Sequence, residues 1–291
     1  RMMTGMVGVV RDIGRKDSTP YLRKQALSSL VTFAGYQATM KFIIAQGAML
    51  LLGDDEDDIT QDFNPVSTDF NKLKSGNTRY DVSAGHGIAI IDSCDSILLN
   101  SCKIQSNGAS SGIGLGGGIT AENSTNVIFN YCEISHNTAN QGGGIYLETC
   151  SPDIMDCNVS YNITSGTVSY GASGICCWTG ASPYIYRCDI EWNEVNNSST
   201  FNNGGGIYCW NGTSPFIQNC RIRYNTAQDA GGGIYVYGTA SPSILLSEIS
   251  YNTAVTGGGI AASNNTVVWS CLITDNTASS GAGILCDNAD A

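Results

Sequence analysis

Basic residues are what this chain has least of where it matters. Over 291 residues, 14 Lys and Arg stand against 25 Asp and Glu. The shortage is concentrated. Residues 1–80 hold ten Lys/Arg and nine Asp/Glu, a net of +1, whereas residues 81–291 hold four and sixteen, a net of −12. A surface of that sign has no basic footprint for phosphates, which excludes nucleic acid as a partner. Histidine is nearly absent as well: only His86 and His136 occur, and no Cys-x-x-Cys pair accompanies them, so no zinc site is expected. The glycine-rich stretches lack the Asp of the calcium-binding nonapeptide and the Lys of a phosphate loop. No Leu-x-x-Leu-x-Leu frame is present. No metal and no cofactor are therefore expected.

What the chain does have is a repeat. Gly204–Asn225 reads GGGIYCWNGTSPFIQNCRIRYN, and worn copies of it run from about residue 86 to the last residue. Aligned on Cys-x-[Ile/Val]-x-x-Asn, the first position is Cys102, Cys132, Cys157, Cys188, Cys220, Ser247 and Cys271, and the last is Asn in every copy, from Asn107 to Asn276. Each copy then reaches a Gly-rich corner followed by Ile. The period of 24 to 32 residues is that of a solenoid. Within a copy the apolar positions alternate and are rich in β-branched residues, a strand pattern rather than a helical one. Three short strands per copy cannot build a core alone, but stacked at roughly 4.8 Å per rung they pair in parallel and bury continuous columns. The reading is all-β: a parallel β-helix of about seven coils over residues 86–291, with Ile columns inside, an Asn column at one corner and steric turn glycines at another.

The GGGIY, SPxI, Cys-x-Ile-x-x-Asn and Asn-Thr-Ala elements resemble bacterial right-handed parallel β-helix repeat proteins of the pectin-lyase-like fold, and also the repeats of polymorphic outer-membrane autotransporters. That resemblance covers residues 86–291. It implies the fold, and an extracellular or cell-surface location. It leaves the activity open among polysaccharide lyases, hydrolases and adhesins.

The preceding 85 residues read differently. Residues 1–53 are expected to form a helical segment, with Pro20 in a first turn, and 54–85 an acidic and polar linker. Residues 26–52 carry one charge, Lys41, with basic residues before and Asp54-Asp55-Glu56-Asp57-Asp58 after. That run suits either a membrane span or a hydrophobic helical hairpin packed elsewhere. Residues 10–85, through Asn64-Pro65 and Ser67–Asp81, are similar to the helical C-terminal part of large polyvalent proteins of phages and mobile elements. The start at RMMTG and the stop shortly after a new copy opens at Gly281 read as those of a piece cut at both ends. The β-helix is then truncated at its C-terminus.

Twelve cysteines would suggest disulfides in a small secreted chain. Here six share one column, where stacked, parallel Cβ vectors disfavour bridging, so a reduced packing column is expected. For catalysis, Asp189, Glu191 and Arg223 are the candidates, since a hydrolase of this fold needs two nearby carboxylates. The same positions also read as a cross-strand charge ladder of Asp189, Arg221 and Glu248 beside Glu191 and Arg223. The polygalacturonase motifs Asn-Thr-Asp, Asp-Asp, His-Gly and Arg-Ile-Lys are missing.

Aromatics give a stronger signal. The first and third residues after each core Ile are expected to face out: Tyr146 and Glu148, Cys176 and Trp178, Tyr208 and Trp210, Tyr235 and Tyr237. A second row precedes the Asn column: Tyr161, Trp192, Tyr224 and Tyr251. Flat amphipathic rings in file suit sugar stacking, or alternatively stability alone. The long segments Asn162–Gly174 and Asn193–Gly206 are expected to protrude beside Trp178 and Trp210. The functional expectation is a non-catalytic, adhesin-like repeat protein that binds a glycan or surface protein through its aromatic face, with a lyase or hydrolase and a structural spacer as the alternatives. An acidic polymer would be repelled unless calcium bridged it, which favours a neutral glycan or a protein.

Overall fold

The computed structural model describes residues 87–287, with breaks at 92, 95, 109–113, 166–170, 197–201 and 264. The helical segment, the linker and the 26–52 run lie outside the described residues. Among the described residues no helix is long and apolar enough to cross a membrane.

Strands of two to four residues stack into parallel sheets. The first sheet has eight strands, from Ile88–Ile90 through Ile145–Glu148, Ile175–Cys177 and Ile207–Cys209 to Ile284–Cys286. The second and third have seven each, represented in one coil by Phe216–Gln218 and Arg221–Arg223. A fourth joins Thr138–Ala139, Ile163–Thr164 and Glu194–Val195. Register follows the repeat: Ile175 pairs with Ile207, Ile185 with Ile217, and Ile190 with Ile222. The described residues thus form an all-β parallel solenoid of about seven coils. Each of these Ile side chains is fully buried.

Two corners hold the coil closed. At one, the Asn column forms a continuous amide ladder. Nδ2 of each Asn donates to Oδ1 of the next at 3.0 Å, from Asn107 to Asn276. The second amide hydrogen goes back one coil, as from Asn193 Nδ2 to the Val159 carbonyl at 2.9 Å. Oδ1 also accepts a backbone N–H, as from Asn193 to Asn225 at 3.0 Å. Every hydrogen-bonding valence of a buried amide is then used, which makes the column favourable rather than costly. The third glycine of the glycine corner lies against this ladder. A Cβ on Gly206 would fall 2.5 Å from the Gly233 carbonyl oxygen and 3.1 Å from Asn225 Nδ2.

The cysteine column stands between the second and third sheets. All twelve cysteines are free. The column thiols donate to carbonyls one coil back, Cys188 Sγ to Ile154 O at 3.4 Å and Cys220 Sγ to Ile185 O at 3.5 Å. Cys177 and Cys209 are in register and fully buried, as core residues.

Candidate functional site

The row carrying Trp178, Trp210 and Tyr237 sits where the first sheet's strands end. The three rings stack, with centroids 4.4 Å apart for Trp178–Trp210 and 4.5 Å for Trp210–Tyr237. Beside them, Tyr208 stacks on Tyr235 at 5.3 Å. One expectation fails here. Tyr146, Tyr208 and Tyr235 point away from the interior but are buried, at 2, 2 and 9 % exposure, and Cys176 is buried among them. The cause is the glycine corner. The chain enters each corner over the outward face of the strand that follows, so Leu115, Ala172 and Ala230 pack on these rings. Glycine at the corner's first position favours that path, although Ala172 takes it before Ile175. Gly204 has φ +71°, and a Cβ there would lie 2.9 Å from the Tyr208 Cβ. Strand alternation gave the direction of these side chains correctly. It could not show that a second layer covers them.

The platform expected at Trp178 and Trp210 is altered in the same way. Both residues are partly buried against this outer apolar cluster, and their near-parallel planes, 16° apart, turn their faces to each other. The long segments expected to flank them centre on 166–170 and 197–201, outside the described residues. Glu122 and Glu148 continue the row in register on the two preceding rungs. Glu122 is buried, and the Tyr146 hydroxyl donates to Glu148 Oε2 at 3.1 Å. Burial also pushes the Tyr146 phenol well above its ordinary value. The position three residues after the core Ile would have identified Glu122.

The second row lies at the Asn corner, beyond the second- and third-sheet strands from Trp210. It holds Trp192 and Tyr224, together with Tyr161, Tyr251 and one residue that sequence reasoning missed. His136, the residue before Asn137, stacks on Tyr161 at 5.1 Å and 16°. The stack continues from Tyr161 to Trp192 at 6.0 Å, to Tyr224 at 4.4 Å and to Tyr251 at 5.0 Å. Tyr161, Trp192 and Tyr251 leave 47, 45 and 47 % of their surface to solvent. Every ring of this row is carried on a left-handed backbone, with φ between 55° and 57°. Bulky side chains rarely adopt that conformation. The corner needs it because one residue must reverse the chain between the outward strand end and the inward Asn. Asp275 extends the row, and its carboxylate raises the Tyr251 phenol.

The catalytic candidates form a ladder of ion pairs. Asp189 pairs with Arg221 and Glu191 with Arg223, the latter at 2.7 Å. The hydrogen bonds that Arg221 and Arg223 donate to these carboxylates raise both guanidinium groups. Arg187–Asp156 at 2.7 Å and Lys103–Glu133 at 3.0 Å complete the set. Each Lys and Arg among the described residues is therefore engaged with a carboxylate. No three His, Cys, Asp or Glu side chains among the described residues gather to hold a metal ion.

No curated protein and no solved structure matches the chain. A family model described as a right handed beta helix region matches residues 163–291. That match takes in Trp178, Trp210 and Tyr237 of the first row and Trp192, Tyr224 and Tyr251 of the second, beginning just after Tyr161, and together with the stacked parallel rungs it supports a parallel β-helix repeat protein.

Proposed function

We propose that this chain is a non-catalytic β-helix repeat protein of the extracellular space or cell surface, which binds a glycan or a surface partner through exposed aromatic side chains. One observation carries the reading: file upon file of stacked aromatics on an acidic solenoid whose cations are all in ion pairs. Aromatic surface of this kind is apolar but retains hydroxyl and indole donors, which suits polyhydroxylated ligands. The ion-pair ladder supports the non-catalytic part, since Asp189, Glu191 and Arg223 already serve one another across the rungs.

A glycan array probed with the full chain, followed by a reducing-sugar assay on whichever glycans bind, tests this. Binding without release of reducing ends is expected. Release of reducing ends would make the chain an enzyme and would direct attention first to Glu122 and Glu148, in register beside the tryptophan row. Absence of any binding would leave a structural spacer.

A further inference from the structure

Two corners of the coil that place non-glycine residues in the left-handed conformation are a natural control for each other. Between the second and third sheets, the left-handed position is occupied by Tyr131, Asp156, Arg187, Asn219 and Leu246 in successive coils. The backbone accepts any of these. At the Asn corner the same conformation carries His136, Tyr161, Trp192, Tyr224 and Tyr251. Five aromatics in succession are not required by a backbone that Asn or Gly would adopt more readily. Nor are they required by the core, which the buried Ile and Asn columns fill without them. Strained backbone positions cluster at functional sites.

Two residues after Tyr224, Tyr251 and the Asp275 that extends the row stands a second, hydroxyl-bearing row. Thr226, Thr253 and Thr277 are bridged in register and exposed. Because the Asn between points inward, ring and threonine share the outward side of the corner. The Tyr224 and Tyr251 coils, neighbours about 4.8 Å apart along the axis, therefore each offer an aromatic rim and a hydroxyl, while Glu194 takes the threonine's place beside Trp192.

We infer that this strip, with Trp192 and Tyr224 at its centre, binds a neutral, linear, extended glycan laid parallel to the solenoid axis, about one sugar per rung. The inference rests on the glycan-binding reading above and assigns the site and the ligand class within it. The period fits because an extended pyranose unit is about as long as a rung is high, ~5 Å. The charge fits because Glu194 and Asp275 lie along the strip, while Arg223, the nearest cation, is held by Glu191 and lies over the Tyr224 ring at 5.9 Å. An anionic chain would meet carboxylates with no available counter-charge. A neutral chain meets ring edges and hydroxyls.

The test is affinity electrophoresis of the full chain in gels containing hydroxyethyl cellulose or galactomannan, with polygalacturonate as the anionic control. The variants are Trp192→Asn with Tyr224→Asn, and Trp178→Ala with Trp210→Ala. Asn is chosen for the first pair because it tolerates the left-handed backbone. Retardation by at least one neutral polymer is expected, with at least a tenfold weaker apparent affinity for the Asn pair and unchanged β-type circular dichroism. Retention of affinity by the Asn pair overturns the site assignment. If the Trp178/Trp210 variant alone loses it, the glycan-binding reading survives and this inference does not. Retardation by polygalacturonate alone overturns the ligand class. Retardation by none of the three polymers overturns this inference, and the glycan array then decides separately whether any other ligand binds.

Discussion

Trp178, Trp210 and Tyr237 stack beside buried Tyr208 and Tyr235, whereas His136, Tyr161, Trp192, Tyr224 and Tyr251 stack with close to half of three of their members in solvent. Both rows have the period of the coil, and both consist of near-parallel rings. They differ in what lies beneath and around them. The first row grows from extended strand ends and packs against an outer apolar layer roofed by the incoming glycine corner. The second grows from left-handed corner residues, with a hydroxyl row alongside. Stacking period alone therefore does not distinguish a packing device from a presented surface. Backbone conformation and covering do.

The largest effect expected from this contrast is on stability. Ile222→Asp places an unpaired charge in the interior and should lower stability by several kcal/mol. Tyr208→Ala removes a buried ring from the outer layer and should cost about 3–5 kcal/mol. Thermal unfolding followed by circular dichroism reads both. A Tyr208→Ala variant that melts with the parent chain would show that the outer layer holds nothing, and the distinction between the rows would collapse.

A smaller, chemical effect sharpens the same contrast. Cys176 lies under the first row, and burial pushes its thiol far above the ordinary range; Cys150, also buried, is pushed up to about 11. Thiolate, the reactive form, is scarce at neutral pH for such groups. Alkylation of the native chain followed by peptide mapping should mark the exposed Cys286 and spare Cys176 and Cys150. After denaturation without reductant all twelve should react. Rapid native labelling of Cys176 would mean that the layer over the first row is open.

Much of this molecule could be read from its residues. The coil, the register and the inward Ile columns follow from a repeat in which Asn never varies. The Asn ladder was legible because identical polar residues in a solenoid must stack, and stacked amides can satisfy one another. The ion-pair row was legible for the same reason. The cover over Tyr146, Tyr208 and Tyr235 was not. Alternation describes one strand at a time, whereas that cover comes from residues preceding the next glycine corner, at a φ that sequence does not display. The left-handed backbone under Trp192 was hidden likewise: a row of large aromatics reads as extended strand, and only the turn into the Asn column requires otherwise. His136 escaped because it was weighed as a metal ligand rather than by its place before Asn137.

The account's central claim is that the Asn-corner row is presented rather than structural. The most direct measurement compares melting temperatures of the full chain carrying Trp192→Asn or Tyr208→Ala. Trp192→Asn loses ring stacking worth about 0.5–1.5 kcal/mol per pair but relieves a left-handed bulky residue of comparable size. A shift of about 3 °C or less is expected for it, against on the order of 10 °C for Tyr208→Ala. A drop for Trp192→Asn as large as that for Tyr208→Ala would contradict the claim and make both rows part of the scaffold.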